Sequence, residues 1–402
     1  MTDDPERNRL SARVGRMAKL GANLSRAGAE IAVARLTGGG EADARIAAAI
    51  RAALGRSKGP LMKVAQILST VPDLLPPEYA AELAALQSGA PAMGWPFVKR
   101  RMRAELGEDW EARFARFTHE AAAAASLGQV HRAVSLEGED LACKLQYPEM
   151  ASAVESDLEQ LQTLLGVIRR ASRALDPREI GEEVGARLRE ELDYEREARH
   201  MALYRRMLAN QPHIAIPAPK PALSTKRLLT MTWLDGRPLT AFQDAAQDER
   251  NRLAALLFKA WWRPFGQYAV IHGDPHLGNY SFGGADAETL NLLDFGCIRV
   301  FEPSFVQGVI TLRDALRRED RAAIEEAYAA WGFPPLKKEL LDTLNIWARF
   351  IYAPLLEDRA RRVAEASPAE YGRREFMAMR RGLEEHGPVA IPRPFVFMDR
   401  AA

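Results

Sequence analysis

Apolar positions along this chain recur at helical spacing over most of its length and form strand-like runs in only a few places. Leu10, Val14, Met17, Leu20 and Leu24 fall three or four residues apart, so an amphipathic helix is expected over 7–36. Thr37-Gly38-Gly39-Gly40 follows as a hinge. A second helical block is expected over 41–87, punctuated by Pro72, Pro76 and Pro77. Lys63 and Gln66, three apart, share one of its faces. Leu141-Ala142-Cys143-Lys144-Leu145 is a short run of strand type. Val154, Leu158, Leu161, Leu165 and Ile168 return to helical spacing, and a further single helix is expected over 179–208. Pro212, Pro217, Pro219 and Pro221 mark a turn-rich crossing before a second strand, Leu228 to Trp233. Beyond 245 helices dominate, ending in a strongly periodic tail over 303–385.

Composition refines this only slightly. The 402 residues suffice for two or three packed units, and 47% hydrophobic with 27% charged residues describes a soluble globular chain with a large core. The formal net charge of +1 names no partner, and neither nucleic acid nor a metal cluster is expected. Two cysteines, Cys143 and Cys297, argue for a reducing compartment and against disulfides or a zinc site. The charged first twelve residues do not read as a secretory signal. No apolar run approaches the roughly 20 residues of a spanning helix. The expected location is cytoplasmic, with any membrane contact peripheral, on the inner membrane. One region leaves two readings open. Arg7, Arg9, Arg13, Arg16, Lys19 and Arg26 meet no acid between Arg7 and Ala29. They form either an ordinary solvated helix face or an interfacial helix drawn to anionic lipid.

Candidate chemistry concentrates in two downstream segments. His272-Gly273-Asp274-Pro275-His276-Leu277-Gly278-Asn279 places an Asp five residues before an Asn. A hydrophobic strand then ends in Asp294-Phe295-Gly296. That order suits a kinase-type centre: Asp274 orients or deprotonates the attacking group, while Asn279 and Asp294 hold Mg2+ on the phosphates of ATP or ADP. Hard oxygen ligands favour that cation. His272 and His276 could instead be a metal pair, but no third ligand lies nearby; His272 is expected to pack and steady the loop.

Upstream, Ala123-Ala124-Ala125-Ser126-Leu127-Gly128-Gln129-Val130 fits the spacing of a glycine-rich phosphate loop. Alanine stands at the first two glycine positions, which makes the loop stiffer. The same alanine run also suits an ordinary helix. Lys144 ends the next apolar run, where a lysine reaches the α- and β-phosphates. Met231 and Trp233, on the second strand, are candidates to line the adenine. Glu191 falls on or beside the stripe of Val184 and Leu188, so it needs a partner, and Lys144 is the natural one. A solvated glutamate in an acid-rich helix is the competing reading.

These segments, in this order, resemble the UbiB/ADCK (AarF) atypical protein-kinase-like family. Lys63-Val64-Ala65-Gln66, Cys143-Lys144-Leu145-Gln146-Tyr147-Pro148 and Glu191-Leu192-Asp193-Tyr194-Glu195-Arg196-Glu197-Ala198 add to the likeness. The resemblance implies an α+β, mostly helical, protein-kinase-like two-lobe fold with a small antiparallel N-lobe sheet and an N-terminal helical extension. On that scheme 1–40 is the basic helix and hinge, and 41–114 the extension. The N-lobe with a helical insert covers 115–235, and the helical C-lobe 236–402. Lys63 and Gln66 would cover the active site, and Asp193 would complete a Glu-x-Asp motif with Glu191. Ala65 stands where the family has Gly, which a helix tolerates better by up to about 1 kcal/mol. The implied function is a magnesium-dependent ATPase or kinase-like enzyme supporting ubiquinone or related isoprenoid biosynthesis beside quinone-biosynthesis proteins. A non-catalytic nucleotide-dependent scaffold, or a small-molecule kinase of the aminoglycoside or choline kinase type, are the alternatives.

Overall fold

The structure, a computed structural model, describes residues 93–125, 127–148, 185–274, 276–357 and 372–387, with isolated positions among 150–158 and at 359 and 389. The basic helix and hinge, and the block holding Lys63 and Gln66, lie outside the described residues.

The chain divides into two compact units. One comprises the described residues from 93 to 158, with 185–257 and His276–Cys297; the other comprises 258–274 and the described residues from Ile298 onward.

The first unit is built on a sheet of β1 (Arg116–Phe117), β2 (Ala123–Ala125), β3 (Gly128–Val134), β4 (Asp140–Gln146) and β6 (Leu228–Thr232). β4 lies between β3 and β6, β1 and β2 both pair with β3, and every pairing is antiparallel. The alanine run is therefore strand, not helix. Side chains alternate across such a sheet, and residues directly opposite share a face. Leu141, Cys143, Leu145 and Leu228 point one way and are buried against Val98, Met102 and Leu106 of α1 (Trp95–Leu106) and against Trp110 and Phe114. Those α1 positions, four apart, are the buried stripe of an amphipathic helix.

Arg101 of α1 is also buried, because its guanidinium is fully used. It donates to the carbonyls of Gln146 (3.2 Å) and Tyr147 (3.3 Å) and pairs with Glu105 (3.3 Å). Glu105 in turn accepts from Arg227 and Thr225 beside β6. On the same sheet face Gln129 and His131 are fully buried. The Gln129 carbonyl accepts from Met93 N at 2.6 Å, and its amide nitrogen lies 2.8 Å from His131 Nε2. His131 Nδ1 lies 2.8 Å from the Thr118 carbonyl, so that nitrogen carries the proton. Burial lowers the His131 pKa and keeps the ring neutral.

The helix expected over 179–208 is broken. Residues 185–191 are helical, but Asp193 starts a new helix, α2 (Tyr194–Met207). Its carboxylate accepts from Arg196 N at 2.9 Å, so it acts as an N-cap. A second, four-stranded sheet has the order β5 (Ile214–Ala215), β10 (Thr289–Leu292), β9 (Tyr280–Gly283), β7 (Arg237–Pro238), with one parallel pair, β5 with β10.

The second unit takes the last part of α3 (Gln247–Tyr268), the pair β8 (Val270–Ile271) with β11 (Arg299–Val300), and the helices α4 (Pro303–Arg318), α5 (Arg321–Ala330), α6 (Lys338–Leu356) and α7 (Arg373–His386). Its core joins Phe265, Phe301, Phe305, Leu312, Tyr328 and Trp331. Phe301 and Phe305 stack at 4.7 Å, and Trp331 donates to the Phe305 carbonyl at 2.9 Å. The periodic tail over 303–385 is thus helical in its described parts.

Candidate functional site

The second face of the five-stranded sheet carries the predicted nucleotide residues. Ala123 stands opposite Val130, Val130 opposite Lys144, Lys144 opposite Leu229, and Ala142 opposite Met231. Strand alternation therefore puts Ala123, Val130, Ala142, Lys144, Leu229 and Met231 on one side, opposite the α1 core. Trp233 continues that side; Arg132 lies over its ring at 5.0 Å, and its indole donates to Asp235. Ala124 stands opposite Gln129 and so belongs to the other face. Ser126 lies outside the described residues. Gly128 is sterically required: a β-carbon there would stand 2.2 Å from the Leu145 carbonyl oxygen and 2.9 Å from the Tyr194 hydroxyl.

Lys144 is buried, and its ammonium is enclosed. It donates to Glu197 Oε1 at 2.8 Å, to Glu197 Oε2 at 3.0 Å and to Asp294 Oδ2 at 3.1 Å, and lies 5.2 Å from the centre of the Tyr194 ring. Burial works against its charge, but Asp294 and then Glu197 outweigh that and hold its pKa well above the ordinary lysine value. Glu197 is buried too. Burial pushes its carboxyl up to about 7, against the pull of Lys144.

The pairing of Lys144 with Glu191 is corrected by this geometry: the partner is Glu197. Asp193 restarts the helix, and the new phase puts Tyr194, Glu197, Met201 and Tyr204 on its buried stripe. Glu191 precedes the cap. It is buried, and Cys297 Sγ donates to it at 3.3 Å. The missed signal was the cap itself, an Asp followed by a stripe at spacings of three and four.

Asp294 is held by the β9–β10 hairpin. Tyr280 stands opposite Leu292, and Leu293 N donates to the Asn279 carbonyl at 3.0 Å, so Asn279 and Asp294 flank the end of one ladder. Gly296 N fixes Asp294 Oδ1 at 2.9 Å, and the carboxylate side chain remains 31% exposed. Phe295 is fully buried against Tyr204, at 5.4 Å. His276 is exposed, its Nδ1 accepting from Gly278 N. Asp274 and His272 belong to the second unit by chain position; both are buried, and His272 packs 5.7 Å from the Trp261 ring.

Comparison with known proteins accords with these features. A model of the ABC1 atypical kinase-like domain matches residues 85–328. The chain is 31% identical over 266 residues to the rat mitochondrial atypical kinase COQ8B, covering 66% of this chain and 50% of that protein. It is 28% identical over 279 residues to the mitochondrial atypical kinase COQ8 of Saccharomyces cerevisiae, covering 69% and 56%. The chain thus spans about half the length of these curated relatives. A solved structure of Rv3197 from Mycobacterium tuberculosis, determined with erythromycin, matches with a TM-score of 0.53 and 23% identity over 85% of this chain and 92% of that one; it shows the shared fold.

Proposed function

This chain belongs to the ABC1 atypical kinase-like family, and from that premise we propose that it is a magnesium-dependent ATPase or phosphotransferase using the Lys144 face of its sheet. The observation that carries the reading is the buried contact of Lys144 with both Glu197 and Asp294. Glu197 holds the ammonium in place, and Asp294 gives up its share of it as phosphate oxygens arrive. Met231, Ala142 and Val130 offer the apolar surface that an adenine needs. Ala123 and the bare backbone of Gly128 flank the phosphates.

The donor set fits Mg2+. Asp294 presents a partly exposed carboxylate oriented by a backbone amide, and Asn279 stands across the end of the same hairpin. When bound, the ion neutralises charge on the phosphate oxygens. Asp274 is assigned the attacking hydroxyl or water, which it orients. Turnover of ATP with magnesium and lipid, wild type against Asp294→Asn, tests the reading. Loss of turnover is expected; equal rates refute it.

The setting we assign is ubiquinone or related isoprenoid biosynthesis at a membrane surface, with quinone-biosynthesis proteins as partners. Family membership supports it. Among the described residues no helix is long and apolar enough to cross a membrane. Quinone profiling of a deletion strain tests the setting, and an unaltered profile removes it. Alanine in place of loop glycines favours a second reading, a nucleotide-dependent scaffold. Nucleotide binding without turnover, with genetic rescue by Asp274→Asn, would select it.

A further inference from the structure

Tyr194 is the first residue of α2 and sits against the sheet between Lys144 and Gly128. Its ring lies under the Lys144 ammonium, at 5.2 Å. Its hydroxyl reaches the backbone of Gly128, where only a glycine leaves it space. The residue is 1% exposed, and the hydroxyl has no hydrogen-bond partner among the described residues. A buried hydroxyl without a partner is costly, and native proteins seldom leave one so. Packing needs a phenyl ring at this place; it does not need the oxygen. Phenylalanine would fill the same volume without the penalty.

The oxygen's surroundings indicate what it serves. It stands beside Gly128 and Lys144, which face the phosphates in the reading above. Burial raises the phenol pKa most; Lys144 pulls against it, and Glu197, Asp294 and Glu191 add to it, so the group stays protonated. It is a donor and not an anion. We propose that Tyr194 is a nucleotide-binding residue whose hydroxyl donates a hydrogen bond to a phosphate oxygen of the nucleotide held by Lys144. This rests on the proposed nucleotide site and adds to it a second phosphate donor from α2. Lys144 supplies charge there, and Tyr194 supplies direction.

The test is Tyr194→Phe, which keeps the ring beneath Lys144 and removes only the oxygen. Affinities for ADP and for adenosine are measured by calorimetric titration with magnesium, and the melting temperature is measured without nucleotide. The expected result is ADP binding weakened about tenfold or more, adenosine binding unchanged, and a nucleotide-free melting temperature equal to or above wild type. ADP affinity within twofold of wild type overturns the proposal. So does an equal loss for adenosine and ADP, which marks a distorted pocket. A lower melting temperature without nucleotide also overturns it, because the hydroxyl would then have a structural partner. Wild-type protein that binds no ADP refutes the nucleotide site itself, a distinct failure.

Discussion

Replacing Glu197 by Gln isolates the interaction on which the site depends. The carboxylate meets the Lys144 ammonium at 2.8 and 3.0 Å, with the two side chains only 3% and 10% exposed. At an effective dielectric of about 20 the gross attraction at this separation is about 6 kcal/mol. Part is offset by the cost of keeping both groups from water, and Asp294 still holds the lysine at 3.1 Å. The net loss on Glu197→Gln should be about 3 kcal/mol, the lower end for a broken buried pair. In a unit of this size that lowers the melting temperature by about 6–12 °C. Scanning calorimetry on Glu197→Gln, Lys144→Met and the double variant is the assay. The double variant should be more stable than the two single losses predict, with a coupling of about 3 kcal/mol, because it leaves no unpaired ammonium. Glu191→Gln is the control and should couple weakly to Lys144→Met. Additive effects for Glu197, or stronger coupling for Glu191, would refute the assignment of the pair.

Two further outcomes are expected. Gly128→Ala should destabilise the β3–β4 pairing by at least about 2 kcal/mol, since its methyl would overlap a backbone oxygen that cannot swing away; a melting temperature equal to wild type contradicts this. Finally, Cys143 is fully buried and its thiol is pushed up to about 12 by burial, whereas Cys297 is partly exposed. Iodoacetamide on the folded protein should label Cys297 alone, as peptide mass mapping will show; equal labelling rates count against the packing described around β4.

Much of the architecture was written in local pattern. The run at 141–145 is strand, the run from 228 is strand as far as Thr232, and the tail after 303 is helical where described, because period and burial coincide there. Asp294-Phe295-Gly296 and the segment around Asn279 could be recognised because their spacing is short and lies on one hairpin, whose ladder brings both ends together. Three things needed the tertiary structure. The alanine run pairs with β3 as a strand, since sheet partners override the helical preference of alanine. The second sheet joins β5 to β10 across more than seventy residues, a contact that no local window contains. The choice between Glu191 and Glu197 turned on one N-cap at Asp193, which shifts the helical phase and so decides which carboxylate faces Lys144. Sequence alone named the kinds of groups proposed for the site, because residue chemistry and short spacings are local properties. Which glutamate meets the lysine, and that a buried hydroxyl lies beside Gly128, depended on how α2 packs against the sheet, and packing is set by contacts distant in the chain.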